Sequence, residues 1–270
     1  MRKEPIVAFL VALFVVASGC LNSNDQSEKN TVVEVQDGDT VIISDGTIVR
    51  LLGVNTPERG MPYYDEATEL LADLVLGQVP VLIADSLSPD TGDNDRLLRH
   101  IENEDGLLVN YQLIKQGMAI WYPYEDGTDK DQSYELGEEI AARDEVGLWA
   151  PSPHQVIIRY IDYDPDSGQG NETVEIENVG GTAIQLEGWY LQDEASRTHY
   201  NFPNVTLDSG SVIRIHSGEG TDSDTDLFWG WYQGIWNNNG GDLALLQDEE
   251  GLMVDYYCYD YPSRLDGHCV

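Results

Sequence analysis

Residues 31–52 read TVVEVQDGDTVIISDGTIVRLL, three short apolar runs separated by turn residues. The runs at 31–35, 40–43 and 47–52 are rich in Val, Ile and Thr, and an Asp-Gly pair stands in each gap between them. Runs of this kind broken by Asp-Gly are typical of strands joined by tight hairpins. The stretch therefore predicts a β-meander.

Two more strands and three helices are predicted before residue 150. Residues 79–84 and 97–101 are further β-rich runs, which makes five predicted strands. Apolar residues recur at helical spacing in 65–76, 107–116 and 134–146, and a glycine follows each segment. This combination favours a small five-stranded, OB-like barrel with three helices over residues 31–150.

The sequence pattern changes after residue 150. Pro151 and Pro153 interrupt it, and we expect residues 151–155 to form a linker. Short alternating runs follow, with hardly any helix signal. We therefore predict an all-β, immunoglobulin-like sandwich over residues 156–260 and a C-terminal tail at 261–270. The predicted fold class is mainly β with some α.

The first twenty residues have the features of an export signal. A basic start is followed by an apolar run at 6–17 and by small residues that lead into Cys20. The run is shorter than the roughly 20 residues of a spanning helix, which disfavours a permanent membrane helix. The Ala-Ser-Gly-Cys ending resembles a lipobox, so we expect a lipid on Cys20, with residues 21–30 as a polar tether. Cleavage near Gly19 with full release is the alternative.

This N-terminus predicts where the protein resides. We expect it at the outer face of the cell membrane, anchored by the lipid on Cys20, or outside the cell. In an exported chain, Cys258 and Cys269 could close a small disulfide loop. The histidines show no spacing typical of metal ligands. We expect surface or turn positions for all five: His100, His154, His199, His216 and His268.

The charge of the chain is strongly acidic. Its 270 residues include 49 Asp and Glu against 14 Lys and Arg, and the formal net charge is −35. The acids are spread along the chain, which fits either an ordinary solvated surface or a halophilic protein, for which screening lengths fall to roughly 3 Å at 1 M salt. We favour the halophilic interpretation. Because phosphate binding normally draws on Lys and Arg, any such binding here must be local and metal-assisted.

Oxygen-bearing side chains gather between residues 37 and 58 at predicted turns and strand ends, together with Arg50. Carboxylate, amide and carbonyl oxygens suit a hard cation such as Ca²⁺. A divalent ion with an arginine can stabilise charge on a phosphoryl group, and a carboxylate can activate water. Taken singly, the same residues are ordinary hairpin turns and a helix start. Together they suggest phosphodiester hydrolysis.

Three segments carry a family resemblance in their order and spacing. They are Asp37-Gly38-Asp39-Thr40, residues 50–58 (RLLGVNTPE) and residues 95–99 (DRLLR). They resemble the staphylococcal (thermonuclease-type) nucleases, and the likeness covers residues 31–150.

The resemblance implies a role for each matched residue. Asp39 would be a carboxylate ligand of Ca²⁺, and Asn55 with the carbonyl of Thr56 would complete the protein ligands. Glu58 would position the attacking water, and Arg50 and Arg96 would hold the phosphate. Arginine suits that task because its planar fork can contact two phosphate oxygens.

Two positions depart from the family pattern. Asn55 replaces the usual second metal-binding Asp, so we expect weaker metal binding, partly compensated if Asp37 turns inward. Asn94 and Asp95 replace the Tyr-Gly that often precedes the second arginine. Asp95 could orient Arg96 or compete with phosphate for it.

The second half resembles the lamin-tail domain over residues 154–260. The resemblance rests on residues 171–178, 186–189, Phe202-Pro203 and 236–238. It implies an immunoglobulin-like sandwich with Trp189 as a core anchor, and a binding or targeting module with an envelope or protein partner. The aromatic cluster at 228–232 with Trp236 fits core packing or stacking on bases or sugars.

These features together predict an extracellular, calcium-dependent nuclease that hydrolyses DNA, RNA or both, as a monomer. The alternative is a catalytically degenerate surface protein that binds nucleic acid or envelope partners. A purely structural envelope role is a third reading. Metal-dependent turnover separates the first from the other two.

Overall fold

The structure of the protein is a computed structural model that describes residues 30–124, 127–165, 171–195, 199–231, 233–261 and 264–267. The predicted signal peptide, Cys20, nearly all of the tether and Cys269 lie outside these residues. Within the described residues, no helix is long and apolar enough to cross a membrane.

The first half of the chain forms strands and three helices, as predicted. In chain order its elements are β1 (Val32–Asp37), β2 (Thr40–Ile43), β3 (Ile48–Leu51), β4 (Val54–Asn55), α1 (Tyr64–Val75), β5 (Val81–Ile83), β6 (Leu97–Glu102), α2 (Val109–Lys115), β7 (Ile120–Trp121) and α3 (Asp131–Arg143). The main sheet has the order β1-β2-β3-β6-β5, and β4 pairs with β7 in a separate ribbon.

The meander and the OB-type arrangement are confirmed, but the barrel is not closed among the described residues. β1 and β5 remain at the two edges of the sheet. The gap is partly bridged because Val32 exchanges backbone hydrogen bonds of 2.9 Å with Gly77 and Gln78, just before β5. The result is a five-stranded OB-type sheet against which the helices pack.

The core of this half follows from the predicted periodicity. α1 buries Ala67, Leu71 and Val75 on one face, in agreement with their three- and four-residue spacing. Each fully buried Leu or Val contributes about 1.5–3 kcal/mol relative to an exposed one. One prediction was wrong here, because His100 is fully buried. Its ring nitrogens lie 2.7 Å from the Tyr134 hydroxyl and 2.9 Å from Asp85 Oδ2, which gives both nitrogens a partner.

The second half is a β-sandwich, as predicted. Its strands are β8 (Val156–Asp162), β9 (Thr173–Asn178), β10 (Ile184–Gln185), β11 (Tyr190–Asp193), β12 (His199–Asn201), β13 (Thr206–Leu207), β14 (Val212–His216), β15 (Asp226–Phe228), β16 (Asp242–Gln247) and β17 (Met253–Tyr259). Two four-stranded sheets, β12-β11-β16-β17 and β15-β14-β9-β8, enclose one apolar core.

Aromatic side chains fill much of that core. Trp189 is fully buried and donates from its indole nitrogen to Glu249 Oε2 at 2.9 Å, so its expected anchoring role is confirmed. Trp236 is 3% exposed and belongs to the same core, which favours packing over stacking on a ligand. Cys258 is disulfide-bonded, and its expected partner Cys269 lies outside the described residues.

The two halves share a third apolar cluster. It joins Ile120, Leu148 and Trp149 of the first half to Leu243 and Met253 of the second. The backbone is continuous across the boundary as well, since Met253 exchanges hydrogen bonds with Ala150 and Ser152. The sandwich is therefore docked against the OB-type half along a largely apolar contact.

Candidate active site

The turn between β1 and β2 places Asp39 inside the protein. Gly38 allows this placement, because a Cβ there would lie 2.8 Å from both Ala67 Cβ and Thr56 Oγ1. The turn therefore sits directly on α1 and on the segment that follows β4. As a consequence Asp39 is 7% exposed, which is unusual for a carboxylate.

Arg50 is positioned opposite this turn by strand register. Thr40 on β2 pairs with Arg50 on β3, so the arginine side chain lies beside Asp39. Its Nη1 donates to the carbonyl oxygens of Leu51 at 2.6 Å and Val54 at 2.9 Å. Its Nη2 lies 2.8 Å from Asp39 Oδ2. These bonds fix the plane of the guanidinium.

Asp39 is held by several donors and still pays a cost of burial. Thr40 Oγ1 donates to Oδ1 at 2.9 Å, and Thr56 Oγ1 donates to Oδ2 at 3.2 Å. The pKa of Asp39 is raised to about 6, mainly by burial and in part by the neighbouring Asp37, while Arg50 opposes the rise. A cation at this carboxylate would favour its ionised form.

Asn55, on β4 of the β4–β7 ribbon, contacts the sandwich and also lines the cleft. Its Nδ2 donates to the backbone carbonyl of Glu194 at 2.8 Å, a residue 139 positions away in the sandwich. A carbonyl only accepts hydrogen bonds, so the atom of the Asn55 amide that faces it must be the nitrogen. The amide oxygen, Oδ1, is then the atom that could bind a cation. Asn55 is 7% exposed and also lines the cleft beside Asp39.

Glu58 and Arg96 come from loops on either side. Glu58 is exposed and follows the buried Thr56. Arg96 follows Asn94 and Asp95, both in the left-handed backbone region with φ of 58°. Asn and Asp tolerate that region better than other residues with a Cβ, which allows two consecutive residues to adopt it before Arg96. Arg96 Nε donates to the Asp93 carbonyl at 3.2 Å.

These residues converge on one cleft. The cleft has a volume of about 490 Å³ and is lined by Asp39, Arg50, Asn55, Glu58 and Arg96, while Thr56 lies beside Asp39. By contrast, Arg99 turns to Asp90, with Nη2 2.6 Å from Oδ1.

The charge of the cleft suits a divalent cation. Four carboxylates and two guanidiniums line it: Asp37, Asp39, Glu58, Asp93, Arg50 and Arg96. Their formal balance is two negative charges. The described residues contain no cluster of three His, Cys, Asp or Glu side chains able to hold a metal ion. The predicted donor set is of another kind, one carboxylate with amide and carbonyl oxygens, and these oxygens fit a hard cation.

Sequence reasoning missed several residues of this cleft, among them two tyrosines and one residue of the sandwich. Tyr122 and Tyr124 follow β7 and line one wall, with their rings 5.0 Å apart at an interplanar angle of 78°. Ala195 reaches the cleft from the sandwich. The tyrosines stand two residues apart just beyond an apolar run, a signal that could have suggested a shared face. Ala195 carried no local signal.

Comparison with known proteins matches the two halves of the chain to two families. The family model described as "Staphylococcal nuclease homologue" matches residues 48–151, and the one described as "Lamin Tail Domain" matches residues 150–260. A micrococcal nuclease of Shigella flexneri is 32% identical over 129 residues, which cover 45% of this chain and 74% of that protein. The chain belongs to the staphylococcal nuclease family. Its nuclease domain is followed by a lamin-tail domain.

Two plant proteins match a smaller share of their own length. A probable staphylococcal-like nuclease of Oryza sativa subsp. japonica is 37% identical over 111 residues, 40% of this chain and 30% of that protein. An uncharacterized 38.1 kDa protein of Capnoides sempervirens is 32% identical over 106 residues, 38% of this chain and 28% of that protein. The chain thus spans less than a third of either plant relative.

Proposed function

We propose that this protein is an exported, calcium-dependent nuclease that hydrolyses the phosphodiester bonds of DNA, RNA or both. The observation that supports it most is the convergence of five predicted residues on one cleft, with Thr56 bonded to the carboxylate of Asp39. They come from two strands, one turn and two loops, and only the fold brings them together. The family relationship supports the same chemistry.

Each side chain has a role in this proposal that its position allows. Glu58 is in contact with solvent and orients the attacking water and takes its proton. Arg50, with its plane already fixed, and Arg96 hold the non-bridging oxygens of the phosphate. Attack forms one P–O bond and breaks another, and the leaving oxygen takes up a proton.

The cation would be held by Asp39, the Oδ1 of Asn55 and the carbonyl of Thr56. Bound there, calcium would supply Lewis-acid stabilisation of the charge on the phosphoryl oxygens. With one charged ligand, the site should bind Ca²⁺ more weakly than one with two carboxylates. Asp37 lines the same cleft and adds negative charge close to Asp39.

The experiment is cleavage of single- and double-stranded DNA and of RNA by the purified protein at high salt, with Ca²⁺ or with EDTA. We expect calcium-dependent cutting that Glu58→Gln lowers by about 10²–10⁴-fold. Glu69→Gln is the matched control, because Glu69 is an exposed carboxylate on α1 outside the cleft lining. It should cut like the unchanged protein.

The opposite results are equally informative. A folded protein that cuts nothing across a range of salts and divalent metals would refute the nuclease and favour the binding-module alternative. Cutting that survives Glu58→Gln would refute the assigned site while leaving the activity in place.

The export part of the proposal rests on residues 1–20 and has its own measurement. Mass spectrometry of the mature N-terminus should find Cys20 as a lipidated first residue. An unmodified Cys20 would refute the lipid anchor.

A further inference from the structure

A buried arginine ties the two domains together. Arg264, just beyond β17, has a side chain that is 1% exposed. Its Nε donates to Glu138 Oε2 on α3 at 2.7 Å, and its Nη1 donates to Glu194 Oε2 in the lamin-tail domain. Its Nη2 donates to the Trp121 carbonyl at 2.9 Å and to Glu138 Oε1 at 3.1 Å. One side chain thus binds a carboxylate from each domain.

Aromatic rings and further hydrogen bonds complete this interface cluster. The Arg264 guanidinium lies 4.9 Å from the ring centroids of both Trp121 and Tyr261. The Tyr261 hydroxyl donates to Glu194 Oε1 at 2.8 Å, so both oxygens of Glu194 are engaged. Both carboxylates are sealed from water, with side chains at most 1% exposed. Such a cluster holds one arrangement firmly, because breaking it leaves buried charges unpaired.

The same cluster closes a ring of contacts on one side of the cleft. Arg264 binds Trp121 on β7, and β7 pairs with β4, where Asn55 stands opposite Ile120. Asn55 in turn donates to the carbonyl of Glu194, whose carboxylate returns to Arg264. The next residue, Ala195, lines the cleft itself. A residue of the cleft is thereby held through the lamin-tail domain.

We propose that the lamin-tail domain is a fixed wall of the nuclease cleft and that Glu194 and Arg264 are positioning residues that hold Asn55 in it. This accounts for an amide at position 55. An ionised Asp could not donate to the Glu194 carbonyl and would set its charge against that oxygen. The effect on hydrolysis rests on the proposed function, whereas the docking and its effect on Asn55 do not.

The test is amide hydrogen exchange of the full chain without added metal, read in peptides that contain residues 54–58. Glu194→Ala removes the tie to Arg264 but keeps the backbone carbonyl. We expect exchange at 54–58 to rise by about tenfold, because a carbonyl at 194 that is no longer fixed through Arg264 and Tyr261 holds the Asn55 amide less firmly, and the net free energy of one buried hydrogen bond corresponds to about that factor. Glu175→Ala is the matched control, because Glu175 pairs with Arg214 and Arg159 on a partly exposed face of the same domain. It should leave exchange at 54–58 unchanged.

A substitution on the nuclease side of the same contact, Asn55→Asp, is a second test. It also covers the case in which Glu194→Ala does not fold. Asn55→Asp should raise exchange in peptides that contain residues 190–195, in the other domain, by a similar factor. Unchanged exchange at 190–195 in folded Asn55→Asp, or at 54–58 in folded Glu194→Ala, would overturn the proposal.

A hydrolysis assay with Ca²⁺ separates this proposal from the preceding one. We expect Glu194→Ala to lower kcat/KM on single-stranded DNA by about tenfold, while Glu175→Ala has no effect. If the unchanged protein does not cut DNA, the proposed function fails. The exchange results then still decide whether the lamin-tail domain holds Asn55.

Discussion

Arg50 and Arg264 bind carboxylates by similar chemistry in two different surroundings. Arg50 meets one carboxylate, Asp39, at the wall of a cleft, and its side chain is 14% exposed. Arg264 meets two carboxylates in a sealed interface, and its side chain is 1% exposed. The cleft has an excess of negative charge and room for a ligand, whereas the interface cluster has its donors and aromatic rings already engaged.

The difference shows that burial separates a pair that can bind a ligand from a pair that only holds two domains together. A carboxylate–arginine pair that borders a cleft can exchange partners. An incoming cation can bind the carboxylate, and an incoming phosphate can bind the arginine. A pair sealed on all sides offers no such exchange, and it acts as a fixed connection between domains. The same residue types therefore serve substrate chemistry in one place and domain docking in the other.

The largest effect should come from removing the interface arginine. Arg264→Met leaves Glu138 and Glu194 buried without their cation, which should cost about 3–5 kcal/mol of unfolding free energy. Urea unfolding followed by circular dichroism measures it. Arg214→Met, which breaks the partly exposed pair with Glu175, should cost about 1 kcal/mol or less.

A paired substitution tests the assigned cause. Adding Glu138→Gln to Arg264→Met removes one of the stranded charges and should recover part of the lost stability. Equal costs for Arg264→Met and Arg214→Met would break the distinction between a sealed pair and an exposed one.

At the cleft, a conservative change should affect turnover more than stability. Arg50→Lys keeps the charge but loses the planar fork, and we expect kcat/KM to fall by about 10²–10³-fold. The lost bonds to Leu51 and Val54 should cost only about 1–2 kcal/mol of unfolding free energy.

Arg99→Lys on β6 is a close match for this change. Arg99 also donates to a neighbouring backbone carbonyl, that of Leu98 at 2.6 Å, and pairs with one carboxylate, Asp90. It should lose comparable stability and little activity. If the two variants lost activity equally, Arg50 would have no special role at the phosphate.

Most of the fold could be predicted because its signals are local. The Asp-Gly turns define the meander, and amphipathic spacing defines the helices. The spacing of apolar residues predicts the third helix at 134–146, whereas the helix spans Asp131–Arg143. Asp131 is the first residue of this helix, and its carboxylate accepts from the Thr128 backbone N–H at 2.8 Å and from the Thr128 hydroxyl at 2.7 Å. The periodicity of apolar residues does not mark this polar first turn, which explains the shift of three residues.

In the candidate site, too, the residues with local sequence signals could be predicted and those without such signals could not. Asp39, Arg50 and the segment 55–58 stand in short motifs, so their meeting could be predicted from a family resemblance. The interface cluster could not, since Glu138 and Arg264 are 126 positions apart and Asn55 and Glu194 are 139 apart. No local pattern marks either pair. Residues 261–270 were predicted as a tail, yet Arg264 is buried against α3.

The smallest effect concerns a buried carboxylate that relies on backbone donors. Asp255 Oδ2 accepts from the Ile158 N–H at 2.6 Å, and burial raises the pKa of Asp255 to about 6, although this hydrogen bond opposes the shift. The folded protein therefore binds this proton more tightly than the unfolded chain, in which the pKa is 3.8. The ionised form destabilises the fold above about pH 6, and this penalty disappears as the pH falls from about 6 to about 4.

Asp255→Asn removes the ionisable group and keeps an oxygen for Ile158. The variant should gain about 1–2 kcal/mol relative to the unchanged protein between about pH 4 and pH 7, since each pKa unit corresponds to about 1.4 kcal/mol and partial solvent access reduces it. Urea unfolding across this range measures the difference, with Asp208→Asn on the exposed surface as control. A difference that does not vary with pH would show that burial without a cation leaves this carboxylate unperturbed. The comparison of Asp255 with the carboxylates that pair with Arg50 and Arg264 would then be supported by their contacts and burial, but not by a difference in stability.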